Sequence, residues 1–193
     1  MASVLVLNSS ASGPNSVSKL LVQSTVERLT AQNPGLKVVE RDLDANPIPH
    51  LNAETTAAVR AGITETPAQR EALVLSNALV EELKAADTIV IGSPMYNFGI
   101  PSTLKSWFDH VLRAGVTFRY SEAGPEGLLK GKRAIIVESR GGVYSEGPAQ
   151  AADFQEPYLR QLLGFIGAFQ DRIQDALDNL VIAARVLRHT RRS

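Results

Sequence analysis

Thr88-Ile89-Val90-Ile91-Gly92-Ser93-Pro94-Met95-Tyr96-Asn97-Phe98-Gly99 is the stretch that decides the fold. Its first part is a short, continuous, β-branched apolar run, and it then changes abruptly to small, polar and aromatic residues. A run of that length bounded by turn residues fits a strand buried on both faces, as in a parallel sheet. A strand that stops in such a loop is how an open α/β sheet presents a ligand, outside the carboxyl ends of its strands.

Working outward, both flanks read as helices. Upstream, Thr66-Pro67 is an N-cap followed by proline at the first helical position, and Leu73, Val74, Ala78, Leu79 and Leu83 line one side to about Ala86. Downstream, a helix begins near Ser102 and carries Leu104, Trp107, Phe108, Val111 and Leu112. Val4-Leu5-Val6-Leu7 repeats the buried-strand pattern and ends in Asn8-Ser9-Ser10. Leu21, Val22, Val26 and Leu29 then fall at helical spacing until Asn33-Pro34-Gly35 stops them. Residues 36–43 read as a second strand, and Asn46-Pro47-Ile48-Pro49 as a rigid loop because two prolines fix φ. Residues 53–66 are weakly helical, and 117–129 read as a polar excursion. Arg133-Ala134-Ile135-Ile136-Val137-Glu138 is the fourth strand, ending in Ser139-Arg140-Gly141-Gly142. The resulting βαβαβαβ order demands a parallel sheet with helices on both faces and right-handed crossovers, an α/β fold.

Composition removes several function classes. The chain of 193 residues balances 20 basic against 20 acidic side chains, which argues against a broad nucleic-acid surface. It has no cysteine, so disulfides, thiolate catalysis and Cys-based metal sites are excluded. Its three histidines, His50, His110 and His189, show no metal-ligand spacing. The N-terminal Met1-Ala2-Ser3-Val4 lacks the basic region and long apolar run of a signal peptide. No stretch approaches the apolar length of a membrane span. The expectation is a cytoplasmic protein without a membrane or nucleic-acid partner. Arg188, Arg191 and Arg192 near the end read as a solvated chain terminus.

Three strand ends carry the chemistry. The loop after the first strand, residues 9–18, contains five serines and leads into a helix. Hydroxyls and backbone N–H groups at a helix N-terminus bind a phosphate dianion without lysine. Taken alone, it reads equally well as a capping loop, since serine is a favoured N-cap. Neither GxxxxGK[ST] nor GxGxxG is present. Met95, Tyr96, Asn97 and Phe98 offer an apolar wall with an amide edge, as a planar heteroaromatic ring needs. In isolation they read better as an aromatic turn packing on its own domain. Gly141 and Gly142 allow backbone to approach a ligand closely, or simply make a strand-to-helix turn.

Several ordered motifs together carry a resemblance. They are Ser16-Val17-Ser18, Asp42-Leu43 with Asn46-Pro47-Ile48-Pro49, Pro94 to Phe98, Arg113-Ala114-Gly115-Val116-Thr117-Phe118-Arg119-Tyr120, Gly124-Pro125-Glu126-Gly127-Leu128, Ser139 to Gly142, and Gly164-Phe165-Ile166-Gly167. The chain resembles, over residues 3–167, the FMN-dependent NADH azoreductase and quinone reductase family. The resemblance implies a flavodoxin-like single domain over residues 1–193, a homodimer, non-covalent FMN, and NADH or NADPH as electron donor. It implies ping-pong hydride transfer to quinone or azo acceptors, with no side chain needed as acid or base. By the same resemblance Ser10, Ser16, Val17 and Ser18 hold the phosphate. Met95, Tyr96, Asn97, Phe98, Ser139, Arg140, Gly141 and Gly142 line the ring. Asn97, Phe98, Phe118 and Tyr120 border the substrate.

After Gly167 the pattern departs. Ile173, Ala176, Leu177, Leu180, Val181, Ala184 and Leu187 fall at helical spacing, so the expectation for 168–193 is one long terminal helix with little or no fifth strand. Two other readings stand beside the enzyme: a flavodoxin-type electron carrier, disfavoured by the neutral charge, and a non-catalytic flavin-binding protein. His110 reads as a helix-surface or interface residue, and Asp87 and Asp109 as solvated or capping residues.

Overall fold

The computed structural model describes residues 2–168. Four parallel strands form the central sheet in the order β2-β1-β3-β6, where β1 is Ser3–Asn8, β2 Lys37–Asp42, β3 Thr88–Pro94 and β6 Arg133–Ser139. The register pairs Leu5 with Val39 and with Ile89, and Ile89 with Ala134. Sheet alternation sorts the strand residues into two cores. On one face Val4, Val6, Val90, Ile135 and Val137 pack with Val22 of helix α1, Val17–Gln32. On the other, Leu5, Leu7, Ile89, Ile91 and Ile136 meet the remaining helices.

Those helices start where the sequence supplies caps. In α3, Pro67–Ala85, Thr66 and Gln69 form a reciprocal capping box with Pro67 in the first turn. The weakly helical stretch resolves into α2, Ala53–Ala61, closed at its start by an Asn52–Thr55 capping box and at its end by Gly62 in the left-handed conformation. Helix α4, Ser102–Val111, buries Leu104, Trp107, Phe108 and Val111, and two aromatic side chains of that size remove roughly 150–250 Å² each from water.

Two elements differ from the sequence reading. The excursion over 117–129 contains a small antiparallel hairpin, β4 Phe118–Ser121 with β5 Gly124–Gly127. Helix α5, Glu156–Phe165, was not expected, and it adds Leu159 and Leu163 to the larger core. Hairpin and helix meet where Gly127 lies against the backbone of residues 166–167: a Cβ on Gly127 would fall 2.1 Å from the Gly167 nitrogen. Glycine at 127 is thus a packing requirement, and it allows Leu129 N–H to donate to Ile166 O at 2.9 Å. The expected terminal helix and the doubtful fifth strand fall almost wholly on residues 169–193, outside the described residues, as do His189 and the terminal arginines.

Candidate functional site at the strand ends

The carboxyl ends of β1, β3 and β6 lie side by side, and the structure ties their loops together. Ser9 Oγ donates to Gly92 O at 2.7 Å. The Tyr96 hydroxyl reaches from the β3 loop into the first loop, where Ala11 N–H donates to it at 3.0 Å. Met95 N–H donates to Ser139 O at 2.8 Å, joining the second loop to the third. All three predicted loops are therefore brought into one place.

In the first loop, Ser10, Ser16 and Ser18 are buried, each at 2% exposure or less. Ser16 caps α1 by accepting from Lys19 N–H, and its hydroxyl lies 3.1 Å from that of Ser18. The first-turn N–H groups of Val17 and Ser18 have no acceptor within the helix. The first turn of α1 carries no carboxylate. Clustered hydroxyls, helix N–H groups and the absence of opposing charge suit a phosphate group. Tyr96 lies below the ordinary phenol range. Burial pushes its pKa up, but hydrogen bonds from Ser10, Ser12 and Ala11 outweigh it.

The second loop is a tight turn, with Tyr96 and Gly99 exchanging backbone hydrogen bonds at 3.0 and 3.1 Å. Its central residues Asn97 and Phe98 have φ of 48° and 71°. Both central residues at positive φ define a primed turn. Asparagine tolerates that region, whereas an aromatic residue there is a genuine outlier. Phe98 is also half exposed, at 50%. Backbone strain of this kind concentrates at ligand sites, and here it falls on a residue that shows an apolar ring to solvent at the end of a parallel strand.

Residues outside the sequence prediction complete the wall. The Tyr144 ring lies 6.4 Å from that of Phe98, edge-on at 71°. Phe154 N–H donates to Phe98 O at 3.1 Å, and the Phe154 side chain is 64% exposed. A Cβ on Gly142 would lie 3.4 Å from the Tyr144 ring, so glycine there lets Tyr144 fold back beside the loop, while Gly141 faces open space. Tyr144 stands two residues past the glycine pair, the one local signal that could have found it. Phe154 sits in a stretch without periodicity and gave none.

Two expectations, for Phe118 and His110, are corrected, and the Arg140 side chain is placed. Phe118 is 8% exposed and its ring packs on Phe165 at 4.5 Å, so it anchors the hairpin to α5 instead of facing a substrate. Of the two aromatic residues, Tyr120, 73% exposed, is the one that projects from that hairpin. Arg140 does not offer its guanidinium to a ligand. Its side chain, 10% exposed, is engaged by Glu138 at 2.6 Å and Asp153 at 3.0 Å, which leaves its backbone as the part that lines the loop. His110 is a core residue, 1% exposed, donating from Nε2 to Pro49 O at 3.0 Å, and burial holds its pKa below the usual histidine value. Asp109 pairs with Lys105 at 2.6 Å, and Asp87 accepts from Ser3 N–H at 2.9 Å.

This strand order, with ligand-ready loops at the carboxyl ends of adjacent strands, defines a doubly wound α/β domain of the flavodoxin-like class. A family model described as "Flavodoxin-like fold" matches residues 2–177. The chain is 59% identical to the FMN-dependent NADH:quinone oxidoreductase of Hyphomonas neptunium over 86% of this chain and 80% of that protein. It is 51% identical to FMN-dependent NADH:quinone oxidoreductase 3 of Pseudomonas aeruginosa over 86% and 78%. Among solved structures it is similar to an azoreductase from Bacillus anthracis, with a TM-score of 0.82, 28% identity and 95% of each chain covered. An FMN-dependent NADH-azoreductase of the same species in complex with FMN gives 0.80 and 25% identity over 97% and 99%. The chain belongs to the flavodoxin-like family of FMN-dependent NADH:quinone oxidoreductases and azoreductases.

Proposed function

We propose that this protein is an FMN-dependent NAD(P)H oxidoreductase that reduces quinones and azo compounds, with FMN held at the joined ends of β1, β3 and β6. The observation that carries the reading is the union of a hydroxyl cradle at the start of α1, with no carboxylate in that helix's first turn, and a strained, exposed aromatic turn beside it. The relatives' names supply the cofactor and donor. Bound FMN supplies the hydride chemistry.

In this reading the chain's own residues bind, orient and exclude. Ser10, Ser16 and Ser18 donate hydroxyls to the phosphate, with the Val17 and Ser18 N–H groups beside them. Met95, Tyr96, Asn97 and Phe98 place an apolar wall and an amide edge along the ring, and the backbone of Ser139, Arg140, Gly141 and Gly142 closes the other side. Phe98, Asn97 and Tyr120 border the space that nicotinamide and acceptor occupy in turn. A single shared face predicts parallel lines in initial-velocity plots, the signature of ping-pong order.

The chain is read as one domain over 1–193, acting as a cytoplasmic homodimer. The exposed Tyr120 on its projecting hairpin supports the dimer as a contact toward a second copy. Among the described residues no helix is long and apolar enough to cross a membrane. Sedimentation at micromolar concentration tests the dimer.

The deciding experiment adds FMN to purified protein, removes the excess, and records the visible spectrum before and after anaerobic NADH. Retained flavin bands that bleach, followed by re-oxidation with a quinone, are expected. Retained bands that stay unbleached would leave an electron carrier or a flavin-binding regulator. Absence of any retained flavin overturns the reading.

A further inference from the structure

Behind the ring loops lies a buried polar cluster that the proposed chemistry does not use. Sheet alternation continues the apolar row Ala134–Ile136 of β6 to Glu138, and the row Ile89–Ile91 of β3 to Ser93, its direct cross-strand neighbour. Two polar groups thus stand where the core would otherwise go on. Gln155, 0% exposed, fills the gap: its amide donates to Ser93 O at 2.8 Å and lies 3.1 Å from Ser93 Oγ, while its carbonyl accepts from Arg140 Nε at 3.2 Å. Arg140 in turn bridges Glu138 and Asp153. Asp153 accepts from the backbone N–H groups of Gln155 and Glu156 and so caps α5. Gln155 thus ties the end of β3 to the segment before α5, and Arg140 ties the third loop to that same segment.

We propose that Glu138, Arg140 and Gln155 are positioning residues, a buried strut that fixes residues 139–142 against residues 94–98 and thereby sets FMN affinity from behind the ring. This inference rests on reading those loops as the FMN site. Its geometry makes the strut pH-sensitive. Glu138 is faced by Arg140 from its own loop, by Asp153 from the loop before α5, and by Glu156 and Arg160 from α5. Burial, above all, raises its pKa to about 7, against the attraction of Arg140 and with the repulsion of Glu156 and Asp153 added. Its Oε1 has no hydrogen-bond partner among the described residues. The ionised carboxylate grips Arg140 through a charge-assisted bond, and protonation slackens it just where the third loop begins.

The test measures FMN dissociation constants by flavin fluorescence between pH 6 and 8.5 for the wild type, Glu138→Gln and Gln155→Leu. The second ionisation of the FMN phosphate, near pH 6, acts on all three proteins alike, so the difference between proteins is what is read. Wild-type affinity is expected to weaken several-fold more than that of Glu138→Gln as pH falls from 8 to 6. Gln155→Leu, with its shape largely kept, is expected to weaken FMN about tenfold at every pH. Equal pH slopes, or unchanged affinity in Gln155→Leu, overturn the strut. Hydrogen exchange of the flavin-free protein supplies a readout that does not need FMN to bind. The Met95 amide, bonded to Ser139 O, is expected to exchange at least tenfold faster in Gln155→Leu than any change in its global stability accounts for, and an exchange rate explained by global stability alone also overturns the proposal. Failure of the wild type to bind FMN while the exchange difference persists would instead sink the FMN reading and keep the strut.

Discussion

The ends of β1 and β6 stand on either side of β3 in one sheet yet are built from opposite materials. The β1 end is a cradle of buried serine hydroxyls and helix N–H groups with no formal charge on Ser9, Ser10, Ser16 or Ser18. The β6 end gathers Glu138, Arg140, Asp153, Glu156 and Arg160. The neutral end leaves its donors open to a dianion, whereas the charged end spends its charges on itself. Charge content and open donors thus part company: the arginine stands in the loop that presents glycine backbone, and the lysine at the serine loop, Lys19, is held by Asp42 at 2.7 Å.

Removing the guanidinium breaks this contrast most severely. Arg140→Met leaves Glu138 and Asp153 buried without their cation. Breaking one partner of a buried ion pair costs about 3–5 kcal/mol. Urea unfolding at pH 8 is expected to show a loss of that order, shrinking toward pH 5 as Glu138 takes up a proton. A loss below about 1 kcal/mol would mean that the cluster is solvated and that the two ends are less different than described.

The converse change places a charge where there is none. Ser16→Asp keeps a competent N-cap, so unfolding stability is expected to stay within about 1 kcal/mol. A carboxylate about 4 Å from a phosphate at a partly screened surface costs up to about 4 kcal/mol, so FMN affinity is expected to fall about 100-fold, read by fluorescence titration. Unchanged FMN affinity would move the phosphate elsewhere.

Glu138→Gln sharpens the comparison within the charged end. A carboxyl raised from 4.5 to about 7 binds more protons folded than unfolded between those values, so wild-type stability falls as pH rises through that window. The full cost, about 3 kcal/mol, is present above pH 7. Glutamine cannot ionise, so the variant is expected to be more stable than wild type at pH 8 by about 1–3 kcal/mol and equal to it near pH 4.5, measured by urea midpoints. Such a gain beside weaker FMN binding would mark Glu138 as a residue kept for the site at the expense of the fold.

What could be read in advance follows the same division. The serine loop, the Pro94 to Phe98 segment and the glycine pair are each contiguous, so they stood out as strand-end loops, while the roles proposed for them came from the family resemblance. Three of the four strands were legible because each is a short apolar run between turn residues, and β2, Lys37–Asp42, showed only Val38 and Val39 at its centre. The strut was not legible: Ser93, Glu138 and Gln155 are separated by 45 and 62 positions from Ser93 and meet only through sheet register and the placement of α5. Phe118 was misjudged for a related reason, since sequence gives a residue's neighbourhood along the chain and not which way its side chain turns. Helix α5 escaped notice because its buried Leu159 and Leu163 supply too short an apolar stripe, starting after a region of glycine and serine.

The smallest expected effect falls on the turn that lies between the two ends. Phe98 holds φ of 71°, which costs a non-glycine residue about 1–2 kcal/mol, and its ring is half exposed, so it recovers little by burial. Phe98→Gly removes both the strain and the ring. Part of the relief is offset by the greater freedom of glycine in the unfolded chain, leaving stability within about 1 kcal/mol of wild type or slightly above it. If the ring serves only the turn, quinone turnover is also unchanged. If it forms the wall that cofactor and acceptor share, kcat/KM for a quinone falls several-fold at unaltered stability, as the exposed and strained geometry leads us to expect. A drop in urea midpoint alone would show instead that Phe98 is held by packing against Tyr144, and that the outlier belongs to the fold.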